Sequence, residues 1–449
     1  MKGNPMSKKT LVSAAVAVTA LSVVLSGCSS DPAGGNGNTS LAGDITGKIT
    51  VWDGRWDADP SWKAVLQAAD TKFAADHPGV QVEHVGLPGS TQEQQIRTAF
   101  QAGKGADVIL ESSGYNGILQ YADKLTPLTA QINPEAFPKV QGWELVRKKY
   151  ATSGEVYGAP YGLQSYVLFY NKAIFRRAGL DPEAAPTSYA ALLDAAKKLK
   201  AAGITAFGGA NKEGAITGWW LSFMGTGTLS ADDTLSLALS KQDADAPGIR
   251  TASQQYADLM PYTDPAYLST SLQSLAATFD SFAKGKVAMA MGLGCCVKDV
   301  VGSLPAEDVG VVTSLGAGSN TKGNYQSAGP DESWMVPQYS TNKATATAYV
   351  KYLLGAEVQG NLYTKAGYLP NNFEVQPGTG GSKGAVQAKL FQAYLGGRTL
   401  NGIHAMWPGA VEDEYQRQMQ VVLAGRGSLE NALSAVKAKQ KVTKAIAGD

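Results

Sequence analysis

From residue 48 onward, stretches of strict apolar-polar alternation take turns with helical periodicities. Residues 48–52, KITVW, alternate and are β-branched, which predicts a strand. Helical spacing over 62–75 stops at His77-Pro78-Gly79. Residues 80–85, VQVEHV, predict a second strand. Residues 92–102 predict a second helix closed by Gly103-Lys104-Gly105, and 107–110, DVIL, a third strand. Strand and helix in this alternation imply a parallel sheet with helices on its faces. The stretch 156–180, VYGAPYGLQSYVLFYNKAIFRRAGL, organises the rest. Its nearly unbroken apolar run at 166–170, bounded by turn signals, reads as a strand buried on both faces. Asn171 can cap a short helix over 172–178 that Gly179 closes. Gln164, a polar residue just ahead of a buried strand, needs a partner.

Further helices are predicted over 188–201, in an interrupted region from 219–224 to about 262, and over 345–354, 385–395, 411–424 and 429–440. Strands are predicted at 204–207, 285–291 and 309–313, and at the segment 329–336.

The segment YGAPY followed by LFYNKAIFRRAGL resembles the crossover of the extracellular solute-binding proteins of ABC importers, in the sugar-binding group that includes the maltose-binding proteins. ITVWDGR, HPGVQVE, FQAGKGADVI, GKVAM, the 329–336 segment and Gly367-Tyr368-Leu369-Pro370 resemble further pieces of the family pattern, in order along nearly the whole chain. The resemblance implies an α/β, two-lobe periplasmic-binding-protein fold. Each lobe would be a mostly parallel sheet flanked by helices, with a hinge between lobes. It places the first lobe at 46–160 plus 330–375 and the second at 161–329 plus 376–449. It also implies hinge closure on a ligand and delivery to an ABC permease.

The chain has 449 residues, too many for one ordinary core and suited to two lobes. Its net charge of +1 argues against nucleic acid, which requires a concentrated basic surface. The three histidines, His77, His84 and His404, have no metal-ligand spacing, and no cofactor is expected. Lys2, Lys8 and Lys9 precede an apolar stretch at 11–25 that is too short for a membrane span, so 1–27 reads as a signal peptide. Leu25-Ser26-Gly27-Cys28 resembles the bacterial lipobox, which implies a lipid on Cys28. The alternative is a plain signal peptide with an incidental cysteine. Residues 28–45 form a flexible tether. The expected product is a monomer on the outer face of the cell membrane, anchored through lipid only.

Sugar recognition requires aromatic faces for the C–H side of a pyranose and amides, carboxylates or arginine for its hydroxyls. Such residues are expected at the carboxyl ends of strands. After the first strand, Asp53, Arg55 and Trp56 are candidates, the alternative being a capping Asp, a surface Arg and a packed Trp. Ser112, Ser113 and Tyr115 follow the third strand, with helix capping as the alternative for either serine. Glu93 and Gln94 match family positions that face the cleft. Gln164 matches a family glutamate that holds hydroxyls. Asn211, Glu213 and one of the adjacent Trp219 and Trp220 come from the second lobe. Glu332 and Trp334 lie at the re-entry segment. Trp407 stands where relatives carry a stacking aromatic. Cys295-Cys296 departs from the family, which places a tryptophan there. Outside the cytoplasm cysteines oxidise, so a disulfide between these neighbours is expected as a flat platform under the ligand. The alternative is two reduced, buried thiols.

A secreted glycoside hydrolase is the competing class. It needs two carboxylates about 5–10 Å apart, and nothing in the sequence pairs Asp53, Glu111 and Glu332. A third reading is the same fold binding a non-sugar solute. The expectation is a binding protein for a mono- or oligosaccharide, not an enzyme.

Overall fold

The computed structural model describes residues 43–88, 91–272, 279–316, 325–378 and 381–447. The signal peptide, Cys28 and all but the end of the tether lie outside the described residues. The strands are β1 (Gly47–Asp53), β2 (Val80–Gly86), β3 (Val108–Ser112), β4 (Ala159–Asn171), β5 (Thr205–Gly208), β6 (Val287–Leu293), β7 (Val309–Val312), β8 (Tyr325–Met335) and β9 (Arg398–Leu400). Helices α1 (Pro60–Asp76) and α2 (Gln92–Ala102) form the first two crossovers.

The spatial order is β2-β1-β3-β8-β4-β6-β5, with β7 beside β4 and β9 beside β8. β1 runs parallel to β2 and β3, as the βαβαβ pattern requires. β8 returns antiparallel to β3 and then pairs antiparallel with β4. The far half of β4 pairs antiparallel with β6 and β7, while β5 and β6 are parallel. The antiparallel pairings arise because β4 and β8 are long strands that carry the chain between lobes in opposite directions.

Two hydrophobic cores flank this linking pair. Ile49, Val51, Trp62, Val108, Ile109, Tyr161, Trp334 and Tyr349 belong to the first. Leu163, Val167–Phe169 of β4, Met289, Met291, Phe391 and Tyr394 belong to the second. The run at 166–170 is buried at every position. Each such aliphatic or aromatic side chain contributes about 1.5–3 kcal/mol. Asn171 caps the helix Lys172–Arg177, its Oδ1 accepting from the Ile174 N–H at 3.1 Å.

The chain leaves the first core at Tyr161 and joins the second at Leu163; Gly162 between them has φ +64°. It makes another passage between Ala366 of the first core and Leu369 of the second, across Gly367 at φ +80°. The two passages are tied by the Leu163 N–H donating to Leu369 O at 2.9 Å. A Cβ at Gly162 would meet nothing within 4 Å, so its glycine answers to backbone conformation alone. Gly162→Ala is therefore expected to lower stability by about 1–2 kcal/mol, read as a reduced denaturation midpoint with an unchanged slope.

Candidate functional site in the cleft between lobes

The loop between β1 and α1 folds back on itself around Asp53. The Asp53 carboxylate is fully buried and accepts from the Trp62 indole N–H at 2.6 Å and the Arg55 backbone N–H at 2.7 Å. Burial raises its pKa, with these two bonds opposing the shift. Asp59 caps α1 through Oδ1, which accepts from the Ser61 and Trp62 N–H groups at 2.9 and 3.3 Å. The turn thus fixed aims Arg55 at Glu332 of β8. Arg55 Nε donates to both carboxylate oxygens at 3.0 Å, and Nη2 lies 2.8 Å from Oε1. Burial opposes the Arg55 charge, but the neighbouring Glu332 outweighs it and keeps the guanidinium protonated. Trp62 and Tyr368 stand edge to face with centroids 4.8 Å apart. The Arg55 guanidinium carbon fills their corner, 5.4 and 5.0 Å from the two rings.

These groups face a cavity that Tyr161, Gly162, Leu163, Gln164, Cys295 and Leu369 complete. It therefore draws on residues of both cores. A neighbouring cavity is lined by Ser113, Leu145, Tyr166, Pro330, Asn401 and Met406. The first holds about 20 Å³ of free space, water-sized, because the lobes are shut. Lys298 Nζ of the second lobe donates to Asp59 Oδ2 at 2.7 Å, and the Tyr368 hydroxyl donates to the same oxygen at 2.9 Å. Tyr150 OH donates to Met406 O at 2.7 Å, Asn116 Nδ2 to Glu412 Oε2 at 3.0 Å, and Asn401 Nδ2 to Glu144 Oε1 at 3.0 Å. Burial acts on Asp59 to raise its pKa, but the bonds from Lys298, Ser61 and Tyr368 prevail and hold it well below the usual carboxylate range.

Of the residues singled out from the sequence, Arg55, Gln164, Cys295 and Glu332 meet at the first cavity and Ser113 lines the second. Ser112 is half-buried opposite Glu332 in the β3–β8 ladder. Tyr115 accepts at its hydroxyl from the Lys149 N–H at 2.9 Å and packs edge to face on Tyr150. Glu93 and Gln94 are exposed on α2, Glu93 pairing with Arg97 on the same helix. Asn211 is buried, donating to Thr217 Oγ1 at 3.0 Å. Glu213 accepts from the Leu272 N–H at 2.8 Å on the exposed rim.

Four tryptophans expected beside the ligand lie in the cores instead. Trp56 stacks on His84 at 4.0 Å, and Trp220 stacks on Tyr256 at 5.3 Å. Trp334 and Trp407 are wholly buried, in the first and second core respectively. Trp407 is turned inward by the short helix Ile403–Met406, whose Ile403 carbonyl accepts its backbone N–H at 3.1 Å. The rings that do face the cavity are Trp62, Tyr161 and Tyr368. Trp62 is signalled by Asp59-Pro60, a cap-and-proline start that fixes where α1 begins. Tyr368 sits in the Gly-Tyr-Leu-Pro turn, a motif that signals a turn and not which way its ring faces.

The disulfide expected between Cys295 and Cys296 is not formed: both are free thiols. Neighbouring Cα atoms lie about 3.8 Å apart, below the usual disulfide range. The turn Gly294–Cys296 keeps both in the second core with their thiols in contact, and Cys295 also lines the cavity.

Two packed α/β lobes, joined by long strands and shut over a lined cleft, define a two-lobe binding protein. The chain belongs to the bacterial extracellular solute-binding protein family, whose profile matches residues 56–360. It is 24% identical over 418 residues to a Brucella abortus protein named as a binding protein, covering 89% of this chain and 92% of the other. It is 25% identical over 230 residues to an sn-glycerol-3-phosphate-binding periplasmic protein of Brucella melitensis, covering 48% and 49%. It is 24% identical over 288 residues to a maltooligosaccharide ABC transporter solute-binding lipoprotein of Streptococcus pneumoniae, covering 63% and 64%. Among solved structures, a chitin oligosaccharide binding protein aligns with TM-score 0.73 at 18% identity, over 89% of this chain and 99% of that one. The solute-binding protein RafE in complex with raffinose aligns at 0.67 and 18% identity, over 88% and 100%.

Beneath the second cavity, His404 is buried between Ser222 Oγ, 2.7 Å from Nδ1, and Tyr166 OH, 3.3 Å from Nε2. Burial lowers its pKa to about 3. The unfolded chain binds this proton near pH 6.5, so the contribution of His404 to stability is complete above that pH. It is lost as pH falls from about 6.5 toward 3, at up to about 1.4 kcal/mol per unit. Denaturation midpoints across this window should slope accordingly, and His404→Gln should flatten the slope.

Proposed function

We propose that this chain is the lipid-anchored receptor of an ABC importer and captures a neutral mono- or oligosaccharide in the cleft between its lobes. The carrying observation is the mixture around one cavity: the rings Trp62, Tyr161 and Tyr368, the amide Gln164, and the paired Arg55 and Glu332. The rings wall the cavity and hold Arg55 in place, the half-buried Tyr368 giving it an aromatic border, and the amide and ion pair offer donors and acceptors to hydroxyls. Relatives whose names specify maltooligosaccharide, chitin oligosaccharide and raffinose support the same class. A phosphate ester, as in the name of the Brucella melitensis relative, would need a free cation, whereas Arg55 and Lys298 are each already paired.

Capture works by hinge closure. A pyranose exceeds about 20 Å³, so it enters an opened cleft and is enclosed by lobes that close on it less far than they do in this structure. The closed body then docks on the permease, and no bond is made or broken. Anchoring is assigned to Cys28 from the lipobox pattern. No helix among the described residues is long and apolar enough to cross a membrane.

A thermal-shift screen over mono- to tetrasaccharides should find a sugar that raises the melting temperature, since a ligand bound only by the folded state stabilises it. The same sugar should reduce the scattering radius. The reading fails if no saccharide shifts the transition, or if a tight ligand leaves the radius unchanged. In cells, Cys28→Ser should release the protein from the membrane fraction; unchanged retention would refute the anchor.

A further inference from the structure

The cleft cavity has no spare charge. Its lining contains one cation and one anion, Arg55 and Glu332, and they are bonded to each other. The adjacent Asp59 and Lys298 are likewise paired, at 2.7 Å. Both members of the Arg55–Glu332 pair are about four-fifths buried, with side-chain exposures of 23% and 22%. Removing one partner from such a pair leaves an uncompensated charge, which a low-dielectric site tolerates poorly.

The geometry also leaves the pair with unused valence on its open side. Nε and Nη2 are committed to Glu332, and the remaining guanidinium N–H groups are further donors that have the Tyr368 hydroxyl as a neighbour. Glu332 Oε2, which takes one contact from Arg55 against two at Oε1, keeps lone-pair capacity. With Trp62 and Tyr368 packed around the guanidinium, hydrogen bonding is confined to its edge. The spare acceptor at Oε2 and the remaining guanidinium donors complement two adjacent hydroxyls: one donates to Glu332, and its neighbour accepts from Arg55.

We propose that the Arg55–Glu332 pair is the specificity element of the cleft, reading a vicinal diol and excluding sugars that carry a net charge. The proposal rests on the sugar-binding reading above and adds which sugars are refused and by which residues. A uronate would compete with Glu332 for Arg55, and an amino sugar would compete with Arg55 for Glu332. In either case one buried partner loses its counter-charge.

The test is calorimetric titration with matched sets: glucose and galactose, their N-acetylamino forms, their uronates and their free amino forms, as mono- and disaccharides. The wild-type protein should bind at least one neutral member, at least about tenfold tighter than its charged counterparts. Glu332→Gln, which leaves Arg55 unpaired, should shift preference toward the uronate by at least about tenfold. Arg55→Gln should shift it toward the amino sugar. Singly deoxygenated forms of the best neutral ligand should lose affinity in the wild type at two adjacent positions, and lose less in either variant. Wild-type protein that binds neutral and charged members equally would overturn the proposal. So would variants that weaken every ligand by one common factor, which marks the pair as merely structural. If no member binds the wild type, the sugar reading itself fails and takes this inference with it.

Discussion

The antiparallel ladder between β4 and β8 is the constraint on which the rest of this molecule depends. Each strand begins in one hydrophobic core and ends in the other. An unbroken ladder would weld the lobes, because every rotation would strain several backbone hydrogen bonds together. The backbone of β4 departs from strand geometry at one place. Register runs from Tyr161 opposite Glu332 to Leu163 opposite Pro330, with Gly162 in the left-handed region between. Pro330 lacks an N–H to give, and a proline inside a sheet is confined to such irregular positions. The compliance of the link is therefore concentrated where the chain changes cores.

That same glycine positions the chemistry. Glu332 pairs across from Tyr161 at the last register position of the first lobe, and Gln164 lies just beyond the glycine. The carboxylate belongs to one lobe and the amide to the next, so their separation depends on the hinge. Arg55 is delivered to Glu332 by a separate device, the Asp53–Trp62 bond that folds the β1–α1 loop. A cleft built this way keeps its ion pair within one lobe. Opening and closing need not break it, and the cost of separating charges does not weigh on the motion.

The parallel opening unit β1–β3 and most helices were legible because strands and helices in this chain keep clean periods, and because a cap such as Asn171 is a side-chain signal local in sequence. Arg55, Gln164 and Glu332 were legible for a related reason: they stand where strands end or cross, and that follows from order along the chain. The tryptophans were not. Which side of a helix Trp220 faces, or whether Trp407 turns inward, depends on partners such as Tyr256 and Tyr415 that are remote in sequence. The cysteine pair misled for a third reason. Compartment chemistry favours oxidation, yet neighbouring Cα atoms lie closer than a disulfide ordinarily spans, and the two buried thiols stay free.

Asp59 shows how closure can be stabilised without making the cleft charged. One carboxylate oxygen caps α1 and is used whether the lobes are open or shut, since its donors Ser61 and Trp62 are on the same helix. The other oxygen accepts from Lys298 of the second lobe and from Tyr368 of the linking turn. Its desolvation is thus partly met by the helix before Lys298 arrives, and closing adds a bond to an acceptor already held in place. Because both members of the contact are neutralised by each other at the rim, the interior remains free of net charge. The forces that shut the lobes and the forces that select the ligand are then carried by different residues, Asp59 with Lys298 for the first and Arg55 with Glu332 for the second.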